Sequence, residues 1–142
     1  MYQSLTIVGN VGRDPEMRYT PSGQAVTSFS VATNRQYTAN SGEPVKETTW
    51  FRVTTWGKLA ETCNKFVKKG MKVLVEGRII GDPTTGGPKI FKKQDGSFGS
   101  SFEVSANTVR FLSSRDEDGG GGGGGDMGGG SFTGAPEEDI PF

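Results

Sequence analysis

Residues 47–70, ETTWFRVTTWGKLAETCNKFVKKG, change their hydrophobic period half-way along. From Glu47 to Trp56 the stretch is rich in Thr, Val, Phe and Trp, the composition of a pleated strand. Successive side chains of a strand point to opposite faces, so Trp50, Arg52, Thr54 and Trp56 share one face and Phe51, Val53 and Thr55 the other. Beyond Trp56 the period becomes helical. Leu59, Cys63, Phe66 and Val67 fall at i, i+4, i+7 and i+8, with Lys58, Glu61, Lys65, Lys68 and Lys69 largely outside that face. Gly70 is expected to cap the helix C-terminus.

Upstream, Ser4 to Val11 is β-prone and ends at the Gly12, Asp14 and Pro15 cluster. Ser22-Gly23 reads as a turn before a second strand, Gln24 to Asn34. A polar loop around Asn40 to Pro44 leads into the strand at Glu47. Downstream, Lys72 to Ile80 is a fourth strand, and Pro83, Gly86, Gly87 and Pro88 make Gly81 to Lys89 a loop. Ile90 to Lys93 and Gly99 to Leu112 then flank a turn at Asp95-Gly96. Three strands, one helix and further strands suit a small β-barrel plugged by a helix, the OB-fold arrangement. A β-sandwich is the alternative that periodicity leaves open.

Composition narrows the function. The chain has 142 residues, no histidine and a single cysteine, Cys63. An intramolecular disulfide, every His-dependent triad and the usual zinc sets are thereby excluded. No carboxylate pair has distinctive spacing, so no enzyme, metal or cofactor is expected. Cys63, on the apolar helix face, reads as a small buried hydrophobe. No apolar run approaches eighteen residues and no export or transit signal is visible at the N-terminus, so a soluble, cytoplasmic protein is expected.

The zero net charge conceals a division. Residues 1–115 hold all 16 Lys and Arg with nine acids, a surplus of seven, whereas residues 116–142 hold seven acids and no base. A basic body carrying an acidic tail suggests a polyanionic partner for the body, although a solvated surface explains the charge equally well. Eleven of the 23 glycines lie beyond Asp116, and Gly119 to Gly125 is unbroken. Such sequence behaves as flexible coil spanning about 26 Å over roughly 22 residues. The expected organisation is a domain over 1–115, a disordered Gly-rich linker over 116–136 and an acidic tip over 137–142.

With the Phe51 face packed inward, the opposite face presents two indoles flanking a guanidinium, suited to stacking bases and neutralising phosphate. The alternative makes Trp50 and Trp56 core or interface residues, as most tryptophans are; the interleaved Arg52 argues against it. Arg13, Arg18, Arg35, Lys58, Lys68, Lys69, Lys72, Arg78, Lys89, Lys92 and Lys93 each read singly as a solvated surface charge, but together, interspersed with Tyr19, Tyr37, Phe91 and Phe98, they fit a groove that tracks a phosphate backbone and stacks exposed bases. Gly9-Asn10-Val11-Gly12 has GxxG spacing, but two glycines so placed are common and read as a bulge or turn.

Ile7 to Pro15, Met17-Arg18-Tyr19, Thr49 to Val53, Trp56 to Glu61, Lys69-Gly70 and Val75-Glu76-Gly77 together resemble the bacterial single-stranded DNA-binding proteins. The resemblance covers Met1 to about Leu112 and returns at Glu137, Glu138, Asp139, Ile140, Pro141 and Phe142. That segment resembles the acidic tip by which this family recruits replication, recombination and repair proteins. The resemblance implies an OB-fold, assembled as a homotetramer, with single-stranded DNA stacked on aromatic side chains. The corresponding aromatic positions are Tyr37, Trp50, Trp56 and Phe91, and the basic ones Arg52, Lys58 and Lys69. The sequence departs from the family at Gln3, where Asn is usual, at Phe51, where His is frequent, and at Gly81 to Lys89, which looks like an insertion.

Overall fold

Val53 and Thr55 are fully buried while Trp50 and Trp56 on the alternate face are 53% and 42% exposed, so this strand turns its Phe51 face to the interior. The same alternation repeats around the molecule. In the computed structural model, which describes residues 1–112, the elements run β1 (Leu5–Val11), β2 (Glu16–Tyr19), β3 (Ala25–Thr38), β4 (Pro44–Trp56), α1 (Gly57–Phe66), β5 (Lys72–Ile80), β6 (Lys89–Lys92) and β7 (Phe98–Phe111). The expectations for the linker, 116–136, and the tip, 137–142, lie outside the described residues.

Strands β1, β5, β7, β4 and β3 hydrogen-bond in that order, and a further β1–β3 pairing closes them into a five-stranded barrel. The β4–β7 pair is parallel and the other pairs of the ring are antiparallel. This mostly β barrel with a single helix is an OB-fold. Its core takes Ile7 and Val11 from β1, Phe29 and Val31 from β3, Val53 from β4, Val73 and Val75 from β5, and Val104, Ala106 and Val109 from β7. The preponderance of valine suits stiff, branched side chains to a pleated wall.

The β1–β3 seam closes tightly at Gly9. β1 pairs with β5 from Leu5 to Asn10 and with β3 at Asn10 and Val11. A Cβ at Gly9 would overlap the Ala32 carbonyl oxygen. Gly9 is therefore a point of close backbone approach inside a strand, rather than the bulge or turn its spacing suggests.

Helix α1 covers one end of the barrel with Ala60 and Cys63, both fully buried, and with Val67 just beyond it. Thr27 Oγ1 donates to the Ala60 carbonyl at 2.7 Å, and Thr55 Oγ1 donates to the Thr27 carbonyl at 3.0 Å. Both buried hydroxyls are thus satisfied, Thr27 tying helix to barrel and Thr55 bracing β4 against β3. The helix ends differently from expectation: Val67, in extended conformation, donates its N–H to Cys63 O at 2.9 Å. Gly70, at φ 89°, instead shapes the following turn and donates to Val11 O at 2.8 Å. Val67 turns into the core in extended conformation, so the chain has left the helix three residues before Gly70.

Two outlying elements flank the barrel. β2, not anticipated from the sequence, pairs with β3, and β6 forms an arm with the start of β7. The Gly81 to Pro88 loop is held by the Asp82 carboxylate, which accepts the N–H groups of Thr84 at 2.8 Å and Thr85 at 3.1 Å. At the tip of the arm, Asp95 accepts the Ser97 N–H at 2.9 Å and hydroxyl at 2.6 Å, which holds its carboxyl below the ordinary value.

Candidate nucleic-acid interface

The outward face of β4 lies against small side chains of β3. In the antiparallel register Trp50 is opposite Ala32, Arg52 opposite Ser30 and Thr54 opposite Ser28. Because those partners are short, the space above them stays open, and a groove of about 440 Å³ forms there. Ser28 and Ser30 line it with Trp50 and Arg52; Gly12, Arg13, Asp14 and Glu16 form one wall, and Phe91, Ser100 and Ser101 from the β6–β7 arm form the other.

Trp50 is positioned by what is missing from its neighbour. A Cβ at Gly12 would overlap the outer edge of the indole, so the glycine lets the ring lie against the β1–β2 link. That link is fixed in turn: Gly12 N donates to Ser30 O at 3.0 Å, Val11 N to Met71 O at 2.8 Å, and Lys69 N to Asp14 Oδ1 at 3.0 Å. Lys69 is thereby placed beside the groove wall.

Trp56 shares the Trp50 face but lies six residues further along β4, about 20 Å away at the usual strand rise. Lys58 follows it in the first turn of α1 and is exposed. Phe91, 44% exposed, reaches the groove across Gly99, over which its ring rests. Trp50, Arg52 and Phe91 therefore meet in one groove, with Trp56 at the far end of the same strand face and Lys58 just beyond it at the start of α1.

Tyr37 does not join them. It pairs with Val45, and counting along β3 places it on the face of Phe29 and Val31, opposite to that of Trp50. It lies where the β3–β4 ribbon runs past the barrel. There the Arg35 guanidinium sits 4.7 Å from the Tyr37 ring centroid, and Glu47 binds both, accepting from the Tyr37 hydroxyl at 3.3 Å and from Arg35 Nη1 at 3.4 Å.

Cys63 is remote from this face. Burial pushes its thiol up to about 11, with a hydrogen bond to Thr55 pulling weakly the other way. It stays a protonated thiol at neutral pH and is no nucleophile.

The family model described as the single-strand binding protein family matches residues 2–112. The chain belongs to that family. Among the relatives of this family member is the single-stranded DNA-binding protein of Neisseria meningitidis serogroup B, 37% identical over 114 residues, which are 80% of this chain and 62% of that protein. The Wolinella succinogenes single-stranded DNA-binding protein is 36% identical over 115 residues, covering 81% of this chain and 67% of its own length. The match thus spans about two-thirds of the length of these curated relatives. In structure the family member is similar to a deletion mutant of the Thermus aquaticus single-stranded DNA binding protein, with TM-score 0.60, 27% identity and coverage of 79% of this chain and 51% of that one. It shares its fold with Plasmodium falciparum SSB, solved in complex with ssDNA, at TM-score 0.63, 22% identity and coverage of 80% and 96%.

Sequence reasoning passed over the serines and Gly12 of this groove. Ser28 and Ser30 carry a signal only once the β3–β4 register is known, because alternation then places them beside Thr54 and Arg52. Gly12 gave no sign, since its role is to be absent from the space Trp50 occupies. Among the described residues, no group of three or more His, Cys, Asp or Glu side chains is placed to hold a metal ion, and no helix is long and apolar enough to cross a membrane.

Proposed function

We propose that the chain binds single-stranded DNA without sequence preference, over the outer face of β4 and the groove beside it. The observation that carries this reading is the pair of exposed indoles, Trp50 and Trp56, on one strand face with Arg52 between them and Phe91 across the groove. Every base has a π-face, so stacking on such rings discriminates little between sequences, while guanidinium and ammonium groups track the phosphates. Trp50, Trp56 and Phe91 stack bases; Arg52, Lys58 and Lys69 neutralise phosphate; Tyr37 extends the path on the other face of the β3–β4 ribbon. The names borne by the Neisseria and Wolinella relatives support the choice of ligand.

The wider role follows the same family. Residues 1–115 form the binding domain, 116–136 a linker, and 137–142 a segment that recruits replication, recombination and repair proteins. In that segment Glu137, Glu138 and Asp139 meet a basic rim while Ile140 and Phe142 anchor in apolar pockets and Pro141 limits the conformations lost on docking. The protein works as a homotetramer in the bacterial cytoplasm, at the nucleoid, where several linked sites on one strand gain avidity through effective concentration. It protects DNA and catalyses nothing.

Titration with poly-dT while following tryptophan fluorescence tests the core of this reading. Stacking quenches the emission to a saturating endpoint that gives the site size, and a matched poly-rU competitor displaces the DNA poorly. Unchanged emission at saturating poly-dT would overturn the assignment.

A further inference from the structure

The far end of the β3–β4 ribbon holds a small closed circuit: Arg35 over the Tyr37 ring, and Glu47 joined to both. Its members are open to solvent, the side chains of Arg35 and Glu47 being 58% and 49% exposed and Tyr37 39% exposed. A guanidinium lies over the ring, and the part of the ring left exposed is what a base can reach. That guanidinium, 4.7 Å from the ring centroid, already has an anion in Glu47.

We propose that Glu47 gates this end of the DNA path by withholding Arg35 from phosphate. The inference rests on the reading of Tyr37 as a DNA-contacting residue. A nucleotide stacked on the exposed part of the Tyr37 ring brings its phosphates beside Arg35, where they compete with the Glu47 carboxylate for the same donors. The two anions offer the guanidinium similar charge-assisted hydrogen bonds. Exposed ion pairs add little net stability, so the exchange is nearly balanced and a modest change at Glu47 shifts it. In the native chain Arg35 is consequently a contact held in reserve: Glu47 repels the approaching phosphate and engages the cation that would receive it. Glu47 also orients the ring through the phenol hydroxyl, which couples the stacking site to the gate.

A double-mutant cycle read by anisotropy of a labelled dT oligomer at low salt tests the gate. Glu61, exposed on α1 and away from this ribbon, supplies the control for adding one positive charge to the body. Glu47→Gln raises affinity roughly two- to fivefold over Glu61→Gln, the scale of releasing one exposed ion pair. Arg35→Met removes that gain from the Glu47→Gln variant, while in the native background it changes affinity by less than about twofold. A Glu47→Gln affinity equal to that of Glu61→Gln, or a gain that survives Arg35→Met, would overturn the gate while leaving DNA binding by the native chain intact. Failure of the native chain to bind the oligomer at all would instead sink the reading on which the gate rests.

Discussion

Replacing Trp50 by alanine separates a stacking residue from a core residue. The indole is 53% exposed, and its covered part rests on Gly12 and the groove wall. A tryptophan buries roughly 150–250 Å² when enclosed, so the covered half represents about 100 Å² and roughly 2–3 kcal/mol of folding stability at about 25 cal/mol per Å². That lowers the melting temperature without abolishing the transition of a domain with ordinary stability of roughly 5–15 kcal/mol. In the proposed reading the exposed half is what a base meets. Losing one stacked base costs roughly 1–3 kcal/mol, so Trp50→Ala should weaken binding about 5- to 150-fold. Trp50→Phe keeps a smaller π-face and should recover part of the loss. The assay is anisotropy of a labelled dT oligomer at one fixed salt concentration, because phosphate contacts make affinities at different salt incomparable. The melting curve of each variant is recorded alongside. If Trp50→Ala melts cooperatively and still binds like the native chain, the indole does not stack. If its thermal transition vanishes, the ring is a structural element and the site has been misplaced.

Three further outcomes are expected. Above pH 9.0 the unfolded chain loses the Cys63 proton while the folded chain holds it to about 11, so stability intact below that window falls as pH rises through it, by up to roughly 3 kcal/mol; urea denaturation at about pH 8 and about pH 10.5 should show a smaller decline in Cys63→Val than in the native chain. Gly9→Ala drives a methyl into the Ala32 carbonyl at the barrel seam and should cost roughly 1–3 kcal/mol in the same assay, whereas an unchanged midpoint would mean that the seam yields. Deleting Glu137 to Phe142 should leave dT affinity unchanged or slightly raised at low salt and abolish recovery of replication and repair proteins from a bacterial lysate; undiminished recovery would refute recruitment through that segment.

The contrast between Trp50 and Tyr37 marks how far the sequence carries the site. Trp50 was legible because Phe51, Val53 and Thr55 beside it have an interior to face, and β4 alternates strictly where it forms the barrel wall. One buried face fixes the other. Tyr37 had no such neighbours: from Asn34 to Thr38 every residue is exposed, because β3 has run past the barrel into a two-stranded ribbon with water on both sides. With nothing buried, polar residues occupy both faces, the alternation disappears, and Gln24 to Asn34 reads as a strand that stops short. The strand continues because its hydrogen bonds do, pairing Asn34 to Thr38 with Pro44 to Thr48 through a turn in which Ala39 N donates to Glu43 O at 2.9 Å. The face of Tyr37 then follows by counting from Val31, six residues back, because the register between them runs without a bulge. Three even steps keep Tyr37 on the side of Val31 and away from Trp50. A strand of DNA touching both must therefore pass around the edge of the ribbon, and it is on reaching the second face that it meets Arg35 already held by Glu47.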